Sequence, residues 1–289
     1  MVPIVHHIDK EQAQLYSLIL NSVGIGNRVV ATGGDFCIHV PHTLKEKALE
    51  AIDRYYDENF DSDEGNVETG TPNLTHIPVS GIFVALLLLS VHLAVTTSSA
   101  PGDYMDVFGA DASRIVRGET YRCVTALLLH SDAVHLAGNM VGLILFGGVV
   151  SSVAGTGVGW LAILICGIVG NWMNASAYEV RHLSIGASTS VFGAVGIMSA
   201  YQAVIAKQTG KGWKRVGLAL GGGLGLLAFL GTSARSDLGA HLFGFVVGGA
   251  MGASYGKWIP LKKGPAMQWL SGVAAALLVV GAWVRGATG

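Results

Sequence analysis

The chain has 289 residues, 51% of them hydrophobic and 13% charged, with a formal net charge of −1. Soluble domains carry about 25% charged residues, so the deficit excludes an ordinary soluble protein and points to lipid. Three scattered cysteines, Cys37, Cys123 and Cys166, lack C-x-x-C spacing, which excludes a disulfide framework and a cysteine zinc site.

The charge is unevenly spread. Residues 1–76 hold twelve acidic and five basic residues, and the rest of the chain holds seven acidic ones. Residues 1–60 therefore predict a small soluble α+β domain, with the order αββα. No charged region leads into an apolar core at the N-terminus, so no signal peptide is expected. Over residues 11–22, Leu15, Leu18 and Ile19 have helical spacing. Residues 28–30 and 36–40 read as strands joined through Thr32-Gly33-Gly34-Asp35; in the second, Phe36, Ile38 and Val40 alternate with Cys37 and His39. Thr43-Leu44-Lys45-Glu46 is a capping-box pattern opening a helix with Leu44, Ala48, Ile52 and Tyr55 on one face. The acidic, Gly-containing residues 61–76 predict a linker.

Apolar runs follow near residues 78–97, 134–152, 157–175, 187–206, 215–231, 238–256 and 266–284. Each is close to the ~20 residues that a membrane-spanning helix needs. If the spans alternate, Lys207, Lys211, Lys214, Arg215, Lys257, Lys262 and Lys263 all fall on the side of the N-terminal domain, which is then the cytoplasm. The second, fourth and sixth spans run inward from the outside. Their first turns hold His135 and Asn139, Ser188, and His241. These groups share one depth, roughly 5–10 Å below the outer surface at ~1.5 Å per residue. Gly244, Gly248, Gly252 and Gly256 form a ridge down the sixth span, and Gly217, Gly221 and Gly225 do so on the fifth. Ridges of small residues let helix backbones approach closely.

Polar groups at membrane depth are expensive and usually functional. Gly186 lies two residues before Ser188 at a helix start, where unpaired N–H groups and the dipole can stabilise an oxyanion. His241 is a base for a serine hydroxyl, with Phe192 one turn below Ser188 to support its ring. His135 and Asn139 share a face at i, i+4 and offer donors to the same oxyanion. Asp237, four residues before His241, reads as a solvated helix-start residue, so a dyad is expected rather than a triad. His130 ties down the loop before the second span. No H-E-x-x-H motif is present, which disfavours zinc.

Together these residues resemble the rhomboid family of intramembrane serine proteases. Gly118-Glu119-Thr120-Tyr121-Arg122 matches the family's G-E-x-[WY]-R element. His130, His135 and Asn139 reproduce its H-x4-H-x3-N spacing. Gly186-Ala187-Ser188 matches its G-x-S motif, and Ala240-His241-Leu242-Phe243-Gly244 its A-H-x-x-G motif. The resemblance implies an all-α polytopic membrane fold. Residues 77–256 form a six-helix core, 257–289 an extra transmembrane helix, and 1–60 a cytosolic αββα domain. It implies that Ser188 is the nucleophile and His241 the base, with His135, Asn139 and the Ser188 N–H as the oxyanion hole. Gly186, Phe192 and Gly244 are in support. Transmembrane segments of other proteins are the implied substrates and lipids the surroundings. No metal, organic cofactor or nucleic acid is expected. The implied location is a bacterial inner membrane, with the N-terminus cytoplasmic.

The family usually has Gly after the serine; this chain has Thr189. A β-branched residue there is expected to restrict the backbone, add bulk beside the oxyanion and narrow a pocket that favours a small residue before the cut. The Gly217–Gly225 helix is the expected gate for substrate. The rival reading is an inactive membrane adaptor that binds transmembrane helices.

Overall fold

Lipid offers no hydrogen bonds to a polypeptide backbone, so a membrane-spanning run must satisfy its own N–H and C=O groups as a helix. The computed structural model shows this for every expected span. It describes residues 1–32, 35–59, 79–178, 182–210, 212–231, 237–258 and 264–289. The turn at Gly33-Gly34, the 61–76 linker, and Lys211, Lys262 and Lys263 lie outside the described residues. The chain divides into two units, Met1–Glu68 and Thr69–Gly289.

The first unit runs β1 (Val2–Ile8), α1 (Lys10–Ser22), β2 (Arg28–Thr32), β3 (Asp35–Val40) and α2 (Lys45–Asn59). The expected αββα order is therefore corrected to βαββα. The strands form one antiparallel sheet in the order β1-β3-β2. β1 escapes a period-two reading because its pairing with β3 shifts register between Pro3 and Val5 and again between Val5 and Ile8. Ile8, Ile19, Leu20, Ile38, Val40, Ala48 and Ile52 make the core. Leu18, expected on the buried face of α1, is 66% exposed. The capping box sits on α1, where the Gln12 N–H donates to Asp9 Oδ1 at 2.8 Å. At the expected box, a 3-10 turn over His42–Leu44 leads into α2 instead.

Among the described residues, six helices of the second unit are long and apolar enough to cross a membrane. They are α3 (Val79–Thr96), the continuous run α7 (Ala133–Gly142) to α8 (Gly148–Ala154), α9 (Thr156–Ser176), α10 (Ser188–Gln208), α12 (Leu238–Trp258) and α13 (Pro265–Thr288). A π-helical segment, Leu143–Gly147, joins α7 to α8. The fifth expected span is the helix α11 (Gly212–Gly231). Between α3 and α7 the chain forms short elements: α4 (Pro101–Phe108), β4 (Ala110–Asp111), α5 (Ala112–Val116) and α6 (Arg122–Thr125). The Gly118–Arg122 motif knots this region. Buried Arg122 donates to the carbonyls of Asp106 at 2.8 Å and Gly109 at 3.0 Å, and to Glu119 Oε2 at 2.7 Å.

α10 lies innermost, against α9, α11 and α12. The glycine ridge of α12 explains the closest of these contacts. A Cβ at Gly244, Gly248 or Gly252 would strike the carbonyl oxygen of Thr189, Gly193 or Ile197 respectively. The ridge expected on α11 behaves differently. A Cβ at Gly217, Gly221 or Gly225 would meet nothing within 4 Å among the described residues, and it is at Gly223 that one would meet Ser199 of α10. α13 is fastened at two levels. Gln268 accepts from the Val158 N–H at 3.0 Å and donates to the Ala154 carbonyl at 2.9 Å, while Trp283 stacks on Phe108 at 4.2 Å between centroids.

Candidate active site

Ser188 opens α10, and the turn before it is shaped by Gly186, whose φ of +120° disfavours any residue with a Cβ. A Cβ there would also lie 2.6 Å from His135 Cε1, 2.7 Å from His135 Nε2 and 3.4 Å from Asn139 Nδ2. Both expected donors therefore flank the turn that delivers Ser188. The turn is held from behind: the Gly186 N–H donates to the Ala126 carbonyl at 2.9 Å, and the Ala187 N–H approaches His130 Nε2 at 3.4 Å. His130, in the loop before α7, thus joins that loop to the turn before α10. Burial pushes its imidazole down to about 4, so the ring is neutral near pH 7, and with its proton on Nδ1 it presents Nε2 as an acceptor.

The α10–α12 contact brings Ser188 Oγ to 2.8 Å from His241 Nε2. Phe192 lies under the imidazole, with ring centroids 4.6 Å apart. Gly244, three residues beyond His241, gives the room in which Thr189 passes. A cavity of about 510 Å³ opens over the pair, with His135, Ser131 and Asp132 on one side and Leu183, Ile185 and Asp237 on another. Asn139 is 5% exposed, and its Nδ2 has no hydrogen-bond partner among the described residues. A buried amide donor left unpaired costs about 1–3 kcal/mol, which calls for a role. Ser131 Oγ lies 3.3 Å from His135 Nδ1 and gives its one proton to Asp132 Oδ2 at 3.0 Å, while His135 Nε2 faces the Gly186 turn.

Asp237 departs from expectation. It does start α12, accepting from the Ala240 N–H at 3.1 Å, but it is not a solvated residue. Its Oδ2 lies 2.7 Å from both His182 Nε2 and Asn174 Nδ2. Burial alone would raise its carboxyl, yet the His182 and Ala240 hydrogen bonds hold it below the usual carboxylate range. Thr189 departs too. It is 2% exposed and is not among the residues lining the cavity, so it neither narrows the pocket nor crowds the two donors. Its hydroxyl donates to Asn171 Oδ1 at 2.8 Å. The polar partners Asn171, Asn174 and His182 were not singled out from the sequence. Two asparagines three residues apart on the otherwise apolar α9 were the available signal. Among the described residues, no group of three His, Cys, Asp or Glu is placed to hold a metal.

Residues 117–258 match the family model for the rhomboid domain. Rhomboid protease GluP of Bacillus subtilis (strain 168) is 30% identical to this chain over 165 residues. The match takes in 54% of this chain and 31% of that protein, so less than a third of the relative's length is covered.

Proposed function

We propose that this chain, a multi-pass membrane protein of the rhomboid family, is an intramembrane serine endopeptidase acting on transmembrane segments of other proteins. The observation that carries the reading is the 2.8 Å contact of Ser188 Oγ with His241 Nε2 at the floor of a cavity. His241 takes the hydroxyl proton as Ser188 Oγ bonds to the scissile carbonyl carbon. The resulting oxyanion is met by the Asn139 amide and the Ser188 N–H, and by His135 when its ring carries a proton on Nε2. The C–N bond then breaks, and His241 passes the proton to the leaving amine. A water, deprotonated by the same imidazole, hydrolyses the acyl-enzyme and restores Ser188.

Ser188 opens α10 and His241 lies in the first turn of α12, whereas Lys207 and Lys257 lie at the opposite ends of those helices. Positive residues favour the cytoplasmic side, which supports a site near the outer face and a cytoplasmic N-terminus in a bacterial inner membrane. A transmembrane substrate hides its carbonyls in helical hydrogen bonds, so Gly or Pro near the cut favours cleavage by easing unwinding. The reading is tested by a fluorophosphonate probe on the folded full-length chain. The expected result is one covalent adduct on the Ser188 peptide; a chain that stays unlabelled, or is labelled elsewhere, favours the non-catalytic adaptor.

Two further outcomes are expected. Asn139→Ala lowers kcat and leaves KM nearly unchanged, because an oxyanion donor acts in the transition state. Loss of one such donor costs up to about 10²–10³ in kcat, and less here if His135 and the Ser188 N–H carry part of the charge. Steady-state kinetics that show only a raised KM would assign Asn139 to substrate placement. We also place all the chemistry within residues 77–256. A chain lacking residues 1–70 should then keep its turnover in detergent, since the first unit has its own core. A folded but inactive truncation would show that the first unit contributes to the site.

A further inference from the structure

We propose that Thr189 is a positioning residue that holds Ser188 in register with His241; the inference rests on the reading of that pair as the reacting groups. Thr189 follows Ser188 directly, yet its side chain turns away from the cavity into the junction of α9, α10 and α12. Its two branches are received separately. The hydroxyl donates to Asn171 Oδ1 at 2.8 Å. The direction of that bond follows from the other end of the amide, since Asn171 Nδ2 donates to the Cys123 carbonyl at 3.0 Å. The amide oxygen is therefore left to accept, and a hydroxyl at position 189 satisfies it. The chain of bonds runs from the residue after Ser188, through α9, to α6.

The methyl branch is seated between two glycines. A Cβ on Gly170 would lie 2.6 Å from Thr189 Cγ2, and one on Gly244 would lie 3.1 Å from it. Gly244 belongs to α12, three residues after His241. The methyl thus makes contact with the helix of the base, and the hydroxyl fixes the helix of the nucleophile to α9. A side chain that touches both helices beside the 2.8 Å contact restrains the distance on which proton transfer depends. Valine at 189 would fill the notch and leave the buried Asn171 oxygen without its donor. Glycine would leave both the notch and the amide unfilled. Serine would keep the hydrogen bond alone.

The test compares the unaltered full-length chain with Thr189→Val, Thr189→Gly and Thr189→Ser in detergent. Unfolding midpoints and fluorophosphonate titration give the folded, reactive fraction of each. Then kcat and KM are measured per reactive site, well below the lowest midpoint. Thr189→Val and Thr189→Gly are expected to lower kcat about tenfold or more with KM nearly unchanged, since the side chain lies outside the cavity. Thr189→Ser is expected to recover most of that loss. A packing role alone would lower the midpoints and leave kcat per reactive site intact. That result, or a serine variant as slow as the valine one, would overturn the inference. If the unaltered chain neither cleaves nor labels at Ser188, the underlying reading falls and this inference falls with it.

Discussion

Ser188→Ala and His241→Ala are each expected to abolish cleavage of a membrane-embedded test substrate while leaving an inserted, helical protein. The two losses come from the same step. Without Ser188 no acyl-enzyme forms, and without His241 nothing takes the proton across the 2.8 Å contact. In soluble serine proteases, loss of either partner costs about 10⁶ in kcat, and loss of both costs little more. The double variant should therefore be no worse than either single one. The structural consequences differ between the two. Ser188 is half-buried at the first position of α10, where alanine is a good helix former, so its removal should forfeit only one hydrogen bond, about 1 kcal/mol. His241 is 4% exposed and packed against the Phe192 ring at a tilt of 36°, so alanine leaves a hole beside that ring. His241→Gln, which fills more of the space but supplies no base, separates lost chemistry from lost packing. Normal turnover in Ser188→Ala, or in folded His241→Gln, would refute the assigned pair.

The spans were legible because apolar runs of membrane length have one stable conformation, and all seven expected segments are helical. The approach of Ser188 to His241 was legible for a related reason. Both lie at the same end of their helices, and the Gly244–Gly256 ridge could only serve a close neighbour. What escaped depends on contacts that no local pattern records. Asn171 and Thr189 are 18 positions apart, and His182 and Asp237 are 55 apart. Their pairing follows from how α9 and the segment before α10 pack, which spacing does not encode. Asp237 illustrates the point: its sequence context announces a helix start, but not the imidazole and amide that bond its carboxylate. Period alone also could not say which glycine ridge meets a neighbour, and the two ridges of α11 and α12 came out oppositely.

That contrast yields the second large expected effect. Gly248→Val should destabilise the second unit and abolish turnover, whereas Gly221→Val should do neither. A Cβ at Gly248 would run into the Gly193 carbonyl oxygen and lie 2.8 Å from its carbonyl carbon and 3.0 Å from its Cα. All three atoms are backbone, so no rotamer change relieves the clash and α10 must move away from α12. Overpacking of this kind typically costs about 1–3 kcal/mol, and more where backbone must shift. The displacement falls two turns below the Ser188–His241 contact on the same pair of helices. A misplacement of about 1 Å between reacting groups can cost on the order of 10²-fold in rate. Alanine makes the sharper test, because two effects have opposite signs. Helix propensity alone favours Gly→Ala by about 1 kcal/mol at either position. At Gly221, where a Cβ would meet nothing within 4 Å among the described residues, propensity should prevail and the unfolding midpoint should hold or rise. At Gly248 the clash should prevail, and both midpoint and kcat should fall. Thermal unfolding in detergent and turnover per folded chain measure the two. Equal behaviour of Gly248→Ala and Gly221→Ala would mean that α10 and α12 do not need a bare backbone at this level. The glycine ridge would then not be what brings the serine to the histidine.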